Sequence, residues 1–218
     1  MKHAKMLSVL GLVACMTTAL AVAAPQSGWG SKDKDMSEKV AKIGEKAPDF
    51  TLTSIDGKTH SLSDFKGKMV VIEWTNPGCP YVVGVYKNGI VSETLKKIKS
   101  MGDEAIYIAV NSTANMDKSA VMEQNRKFLE DHKVKVPVLI DYDGKVGKMY
   151  GAQRTPDMYV IDKDGVLRFV GGFTDDPRGK AGECTNQVLT AMKQIKSGET
   201  VSPDSPRRWG CTVKYAKR

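Results

Sequence analysis

The sequence predicts an α/β domain built on a mixed central sheet with helices on both faces, preceded by an N-terminal β-hairpin. Three observations carry this. The run "MVVIEW" at residues 69–74 is apolar almost throughout, as in a strand buried on both faces. From Ala47 onward the segments follow the order hairpin, strand–helix–strand–helix, hairpin, helix. The middle of that order demands parallel strands joined by right-handed crossovers, and the last hairpin adds antiparallel ones. Finally, 218 residues with 41% hydrophobic and 27% charged side chains suit one globular domain with appendages.

Each element has its own signal. "DFTLTSIDGKTHSLSDFKGK" holds two alternating runs around Asp56-Gly57, a hairpin signature. A helical region opens near Pro80, breaks at Asn88-Gly89 and resumes through "IVSETLKKIKSM". "AIYIAVN" at 105–111 is the next strand. "MDKSAVMEQNRKFLEDHK" then forms a helix with Val121, Phe128 and Leu129 on one side. "VPVLID" is a short strand and "GKVGKMYG" one or two helical turns. "MYVID" and "GVLRFVG" form a second hairpin through Lys163-Asp164-Gly165. "CTNQVLTAMKQIKSG" places Cys184, Val188, Met192 and Ile195 along one face of a last helix. A sheet wound in this order is thioredoxin-like.

The ends differ from this body. Lys2 and Lys5 precede the apolar run "MLSVLGLVACMTTAL", and Ala21-Val22-Ala23 offers a small-residue cleavage site. Residues 1–23 therefore read as a signal peptide, with a mature N-terminus near Ala24. The expected location is outside the cytoplasm, a bacterial periplasm. "LVAC" at Leu12–Cys15 offers the alternative of a lipoprotein box, with Cys15 lipidated and the protein anchored to a membrane. Residues 24–44 read as a linker with a short helix near Met36–Ile43, residues 45–198 as the domain, and 199–218 as a tail. The net charge of +8 falls to +6 once Lys2 and Lys5 are removed. The lysines alternate with acids rather than forming blocks, so no nucleic-acid partner is expected.

Chemistry concentrates at Cys79. It follows a buried strand and precedes Pro80, a residue favoured at the first helical position, so the thiol stands at a helix N-cap. Free N–H groups and the positive end of the helix dipole favour a thiolate there, and the turn around Gly78 argues for an accessible side chain. A buried structural cysteine is the competing reading. Thr155-Pro156 heads a strand, where a cis peptide would bring a backbone edge beside that turn and a trans proline would simply start the strand. Glu73, read as a strand-end residue, suits either a proton relay or an ion pair. Removal of a signal peptide leaves Cys79, Cys184 and Cys211, an odd count that invites one disulfide and one free thiol. Cys184 belongs to the apolar stripe of the last helix, whereas Cys211 lies in the polar tail near Arg207, Arg208 and Lys214, which would favour its thiolate. Cys184 and Cys211 compete as partners for Cys79; the expected pair is Cys79–Cys211, with Cys184–Cys211 and a free Cys79 as a further alternative. His60 and His132 lack ligand spacing and are expected on the surface, so neither a metal nor any other cofactor is expected.

"APDFTLTSIDGKTHSLSDFKGKMVVIEWTNPGCP" and "YGAQRTPDMYVIDKDGVL" resemble the redoxin family, the alkyl hydroperoxide reductase and thiol-specific antioxidant branch of the thioredoxin superfamily. The likeness runs from about Lys46 to Gly172. It implies a thioredoxin fold, Cys79 as redox cysteine and Thr155-Pro156 as a cis-proline loop. Similar exported members carry an NPxCP turn with a terminal Gly-Cys, here Gly210-Cys211. Two departures stand out: Val82 occupies the second position of a CxxC pair, and Asn76 stands where peroxiredoxins place threonine, with Thr75 one residue further off. The expected function is a thiol-dependent oxidoreductase in which Cys79 attacks a peroxide or a disulfide. Cys211 would resolve the product, with Thr75, Pro80, Thr155, Pro156 and Glu73 shaping the site. An external thiol, small or borne by a thioredoxin-like donor, would restore the reduced state. The alternative is a non-catalytic binding or holdase module with a structural disulfide. Copper handling has no paired cysteine and histidine constellation behind it.

Overall fold

A computed structural model describes residues 40–216. The expected signal peptide, the Cys15 lipoprotein box and most of the linker lie outside the described residues. Of the helix expected near Met36–Ile43, the described part from Val40 is irregular rather than helical.

Strands β1 (Thr51–Ser54) and β2 (Thr59–Ser61) form the first hairpin, followed by β3 (Met69–Trp74), α1 (Pro80–Lys87), α2 (Ile90–Ser100) and β4 (Ala105–Asn111). Then come α3 (Lys118–Asp131), β5 (Val138–Ile140), α4 (Lys145–Met149), β6 (Arg154–Thr155), β7 (Asp157–Ile161) and β8 (Leu167–Gly171). Helix α5 (Gln187–Lys196) and strand β9 (Cys211–Thr212) complete the order. Seven strands form one sheet in the order β2-β1-β5-β4-β3-β7-β8. β3, β4 and β5 run parallel, while β1, β7 and β8 run antiparallel to their neighbours.

β3 lies at the centre and every one of its residues is buried. Its side chains alternate between two hydrophobic clusters, as the period of a strand requires. Met69 and Val71 pack with residues of α1, α2 and α5, whereas Val70, Ile72 and Trp74 pack with Phe50, Tyr150 and Tyr159 on the other face. The break between α1 and α2 falls at Gly89, whose φ of 81° a side-chain-bearing residue resists.

One expectation needs correction. Cys184 is not on the last helix: α5 begins at Gln187, because the Asn186 side chain accepts the Leu189 N–H and caps the helix there. Cys184 sits in the preceding turn, partly buried, its thiol donating to the Lys180 carbonyl at 3.2 Å. The tail, moreover, contributes to the core: Val201 and Trp209 are buried in the cluster beneath α1 and α5.

Candidate active site

β3 ends at Trp74, pinned by its indole N–H donating to the Ser112 hydroxyl. The chain then turns on Asn76, whose side-chain oxygen accepts the Gly78 N–H at 2.8 Å and whose carbonyl accepts the Cys79 N–H at 2.9 Å. Cys79 is the N-cap of α1 and Pro80 its first helical residue. The thiol is not accessible as the turn suggested; it is 1% exposed.

What covers it is the tail. The Thr155–Pro156 peptide bond is cis, and β6 immediately before it pairs antiparallel with β9, placing Thr155 opposite Cys211. The Cys79 thiol donates to the Thr155 carbonyl at 2.9 Å, and Thr155 is the residue that Cys211 faces across the β6–β9 pair. Gly210 passes so close to the Thr155 carbonyl, at φ 114°, that a Cβ there would collide with it.

The tail crosses this end of the sheet as a strap with anchors on both sides. Asp204 accepts the Val170 N–H through its carbonyl, and the Trp209 indole donates to the Thr174 carbonyl at 2.8 Å. Beyond β9, Val213 donates to Gln153, Lys214 accepts from Ala114, and the Tyr215 hydroxyl donates to the Ala152 carbonyl at 2.9 Å. Arg208 reaches inward to the Gly151 carbonyl at 2.9 Å and to Asp157 at 3.4 Å.

Electrostatics separate the two thiols. Burial raises the Cys79 value, but Cys211, the Thr155 side chain and the Val82 N–H as hydrogen-bonding neighbours outweigh it, and the net effect holds Cys79 below an ordinary thiol. Cys211 moves the other way, to about 11, through burial, its hydrogen bond to Cys79 and the neighbouring Cys79 charge. Lys214 and Arg154 pull it down without prevailing. Of the cations expected to favour the Cys211 thiolate, Lys214 does so, while Arg208 is committed to Asp157; burial, with the neighbouring sulfur, outweighs them. The first proton lost from the pair belongs to Cys79.

The remaining expected residues divide. Thr75 is buried beside the turn, its hydroxyl unpartnered. Glu73 stands one residue before the end of β3, as expected, and is not ion-paired. It lies fully buried on the α1 face of β3, accepting from the hydroxyls of Tyr107 at 2.6 Å and Tyr86 at 3.1 Å. Burial raises its pKa despite those bonds. Cys184 is apart from this group, and burial together with Asp175, Asp176 and nearby glutamates raises its pKa. His60 stacks on Phe65 and His132 packs edge-on against Phe128, so both are partly buried rather than solvated. Asp157, Arg208, Trp209 and Tyr215 carry roles that sequence patterning did not suggest.

A buried strand delivering a cysteine to a helix N-cap, beneath a cis-proline turn, defines a thiol-redox protein of thioredoxin fold. The family model described as Redoxin matches residues 42–183, and the chain belongs to that family. The thiol-disulfide oxidoreductase ResA of Bacillus cereus is 32% identical over 145 residues, 63% of this chain and 71% of that protein. The chloroplastic peroxiredoxin Q of Oryza sativa subsp. japonica is 27% identical over 193 residues, 84% of this chain and 82% of that protein. Among solved structures, an uncharacterized conserved protein from Geobacillus kaustophilus superposes with a TM-score of 0.71 at 26% identity, covering 81% of this chain and 94% of that one. A hypothetical protein from Sinorhizobium meliloti shares the fold, with a TM-score of 0.71 at 22% identity, covering 83% and 98%. The chain is an enzyme of the thiol–disulfide oxidoreductase or peroxiredoxin-like kind.

Proposed function

We propose that the protein is an exported thiol-dependent oxidoreductase in which Cys79 is the attacking sulfur and Cys211 the resolving one. The observation that supports this most is the pairing of Thr155 with Cys211, with the Cys79 thiol bonded to the Thr155 carbonyl. On a hydroperoxide, the Cys79 thiolate takes the distal oxygen. The O–O bond breaks, the sulfur becomes a sulfenic acid, and the departing alkoxide or hydroxide takes a proton from solvent to leave as alcohol or water. The Cys211 thiol then attacks that sulfur; an S–S bond forms and water departs. On a disulfide, Cys79 displaces one sulfur as a thiol and Cys211 displaces the other. Either way two external thiols, from a small thiol or a thioredoxin-like donor, become a disulfide as the protein is reduced.

The coupled pKa values fit this order. While Cys79 is a thiolate, Cys211 keeps its proton; once the Cys79 charge is consumed, that restraint on Cys211 is gone. Thr155, with the Pro156 turn, and Pro80 hold the two sulfurs in register, and Thr75 and Glu73 line the strand leading to the turn. In this reading Glu73 is a proton reservoir behind the site.

Intact mass after peroxide or a model disulfide tests the assignment. The parent should end as the internal disulfide, the Cys211→Ser variant should halt at the sulfenic acid or mixed disulfide, and the Cys79→Ser variant should not react. Reaction of Cys79→Ser at the parent rate would overturn it. The deep burial of Cys79 also fits a second reading, a holdase with a permanent disulfide. That reading requires a reduction potential below about −300 mV, whereas a catalytic bond lies near the ambient poise.

Export rests on the sequence of residues 1–23. N-terminal analysis of the mature protein should find Ala24 or Pro25; a diacylglyceryl-modified Cys15 would replace free diffusion with a membrane anchor.

A further inference from the structure

Asp157 follows the Thr155-Pro156 turn directly and is fully buried. One of its oxygens accepts from the Gln153 N–H at 3.1 Å, the Tyr159 hydroxyl at 3.3 Å and Arg208 at 3.4 Å; the other has no partner. Arg208 also satisfies the Gly151 carbonyl and stands over the Tyr159 ring, 5.9 Å from its centre. Among the described residues, this is the strap's one ion pair.

Its location is what gives it meaning. On the domain it lies two residues from Thr155, and on the strap three residues from Cys211, the two residues that face each other across β6 and β9. β9 itself is only two residues long, too short to fix its own register. A buried carboxylate whose only cation is lost is left uncompensated, so lifting the strap carries a cost that a surface pair would not impose. The guanidinium is suited to this task because its planar fork serves a carboxylate and a carbonyl together.

We propose that Arg208 and Asp157 are positioning residues that latch the strap, setting how strongly Cys211 competes with external sulfur or peroxide for Cys79. This rests on the reading of Cys211 as the resolving cysteine. The latch has two effects of opposite sign. It raises the effective concentration of Cys211 at Cys79, favouring the internal disulfide. It also keeps Cys79 covered, slowing every external reagent. Loosening it therefore makes the disulfide easier to reduce and the thiol easier to reach.

The test uses the full chain carrying Arg208→Met, Arg208→Lys or Asp157→Asn. The first measurement is the equilibrium of one internal disulfide and two glutathione thiols with the dithiol and glutathione disulfide. Arg208→Met should shift it at least tenfold toward the dithiol, about 30 mV for this two-electron couple. Arg208→Lys, which keeps the charge, should shift it less. The second measurement is alkylation by a bulky maleimide in a Cys211→Ser background. There Arg208→Met should accelerate Cys79 at least tenfold and leave Cys184 unchanged. Equal acceleration of both thiols would mean general loosening and would overturn the latch, as would an unchanged potential with unchanged alkylation. If the parent forms no Cys79–Cys211 bond, the resolving role fails, and alkylation alone judges the latch. Should Arg208→Met not fold, Asp157→Asn, which preserves shape, carries both measurements.

Discussion

Opposite pKa shifts divide the labour between the two sulfurs at the site. The neighbouring Cys211 lowers the Cys79 pKa, while its own rises to about 11. The sign follows directly: below its pKa Cys79 is a thiol and unreactive, and replacing Cys211 by serine, a different donor held at a different length, disturbs the balance. We expect the alkylation–pH profile of Cys79 to have its midpoint below about 8.5 with Cys211 present. The midpoint should move upward in Cys211→Ala, where the donor is gone. Glu73 supplies a second pH signature. Its pKa is raised in the folded state, so the fold holds a proton that the unfolded chain has released, and stability from this group falls as pH rises above about 4.5. Glu73→Gln should flatten that decline, read from urea midpoints across the pH range. The role of Glu73 was only half legible beforehand: the alternation of β3 gives its face, but nothing local in "VIEWTN" announces Tyr86 and Tyr107 as its partners.

At the scale of elements, strand β3 and the turn into α1 were legible because their causes are local: an apolar run, an Asn-Pro-Gly turn and a proline at the first helical position. The break before α2 was legible for the same reason, Gly89 following Asn88. The start of α5 was not. Apolar spacing continues back through Cys184, but the Asn186 cap outcompetes that pattern and begins the helix later. The strand β9 was equally hidden, since two residues have no periodicity and their pairing is set by contacts from across the molecule. Gly210 tests that pairing. An alanine there would meet the Thr155 carbonyl in a backbone conformation that disfavours it, and should cost more than about 1 kcal/mol. Urea unfolding measures the loss, and faster alkylation of Cys79 should accompany it.

For the molecule as a whole, the fold class was readable from the order of its segments, and the approach of the tail to Cys79 from the expected Cys79–Cys211 pair; the anchors that hold the tail there were not. Residues 199–218 lacked every signal of regular structure, and the boundary drawn there followed composition. Packing tells otherwise, because Trp209 is buried against Gly172 and beneath the helical face while its indole bonds to Thr174. Trp209→Ala should therefore cost about 3–5 kcal/mol, as for a large core side chain, rather than the near-zero change expected of an appendage. Chemical denaturation decides between the two.

The strap also imposes a chronology. Cys211 follows Cys79 by 132 positions (211 − 79), and the segment that roofs the reactive sulfur, Asp204 to Tyr215, comes after every strand of the main sheet. As the polypeptide emerges, the sheet and helix α1 can assemble while that sulfur still has no cover, with Cys184 already present and Cys211 not yet. We expect Cys79 to be alkylated faster in a chain truncated before Gly210 than in the full chain, as a time course with a bulky maleimide would show. A chain halted before Gly210 would be caught in that interval permanently.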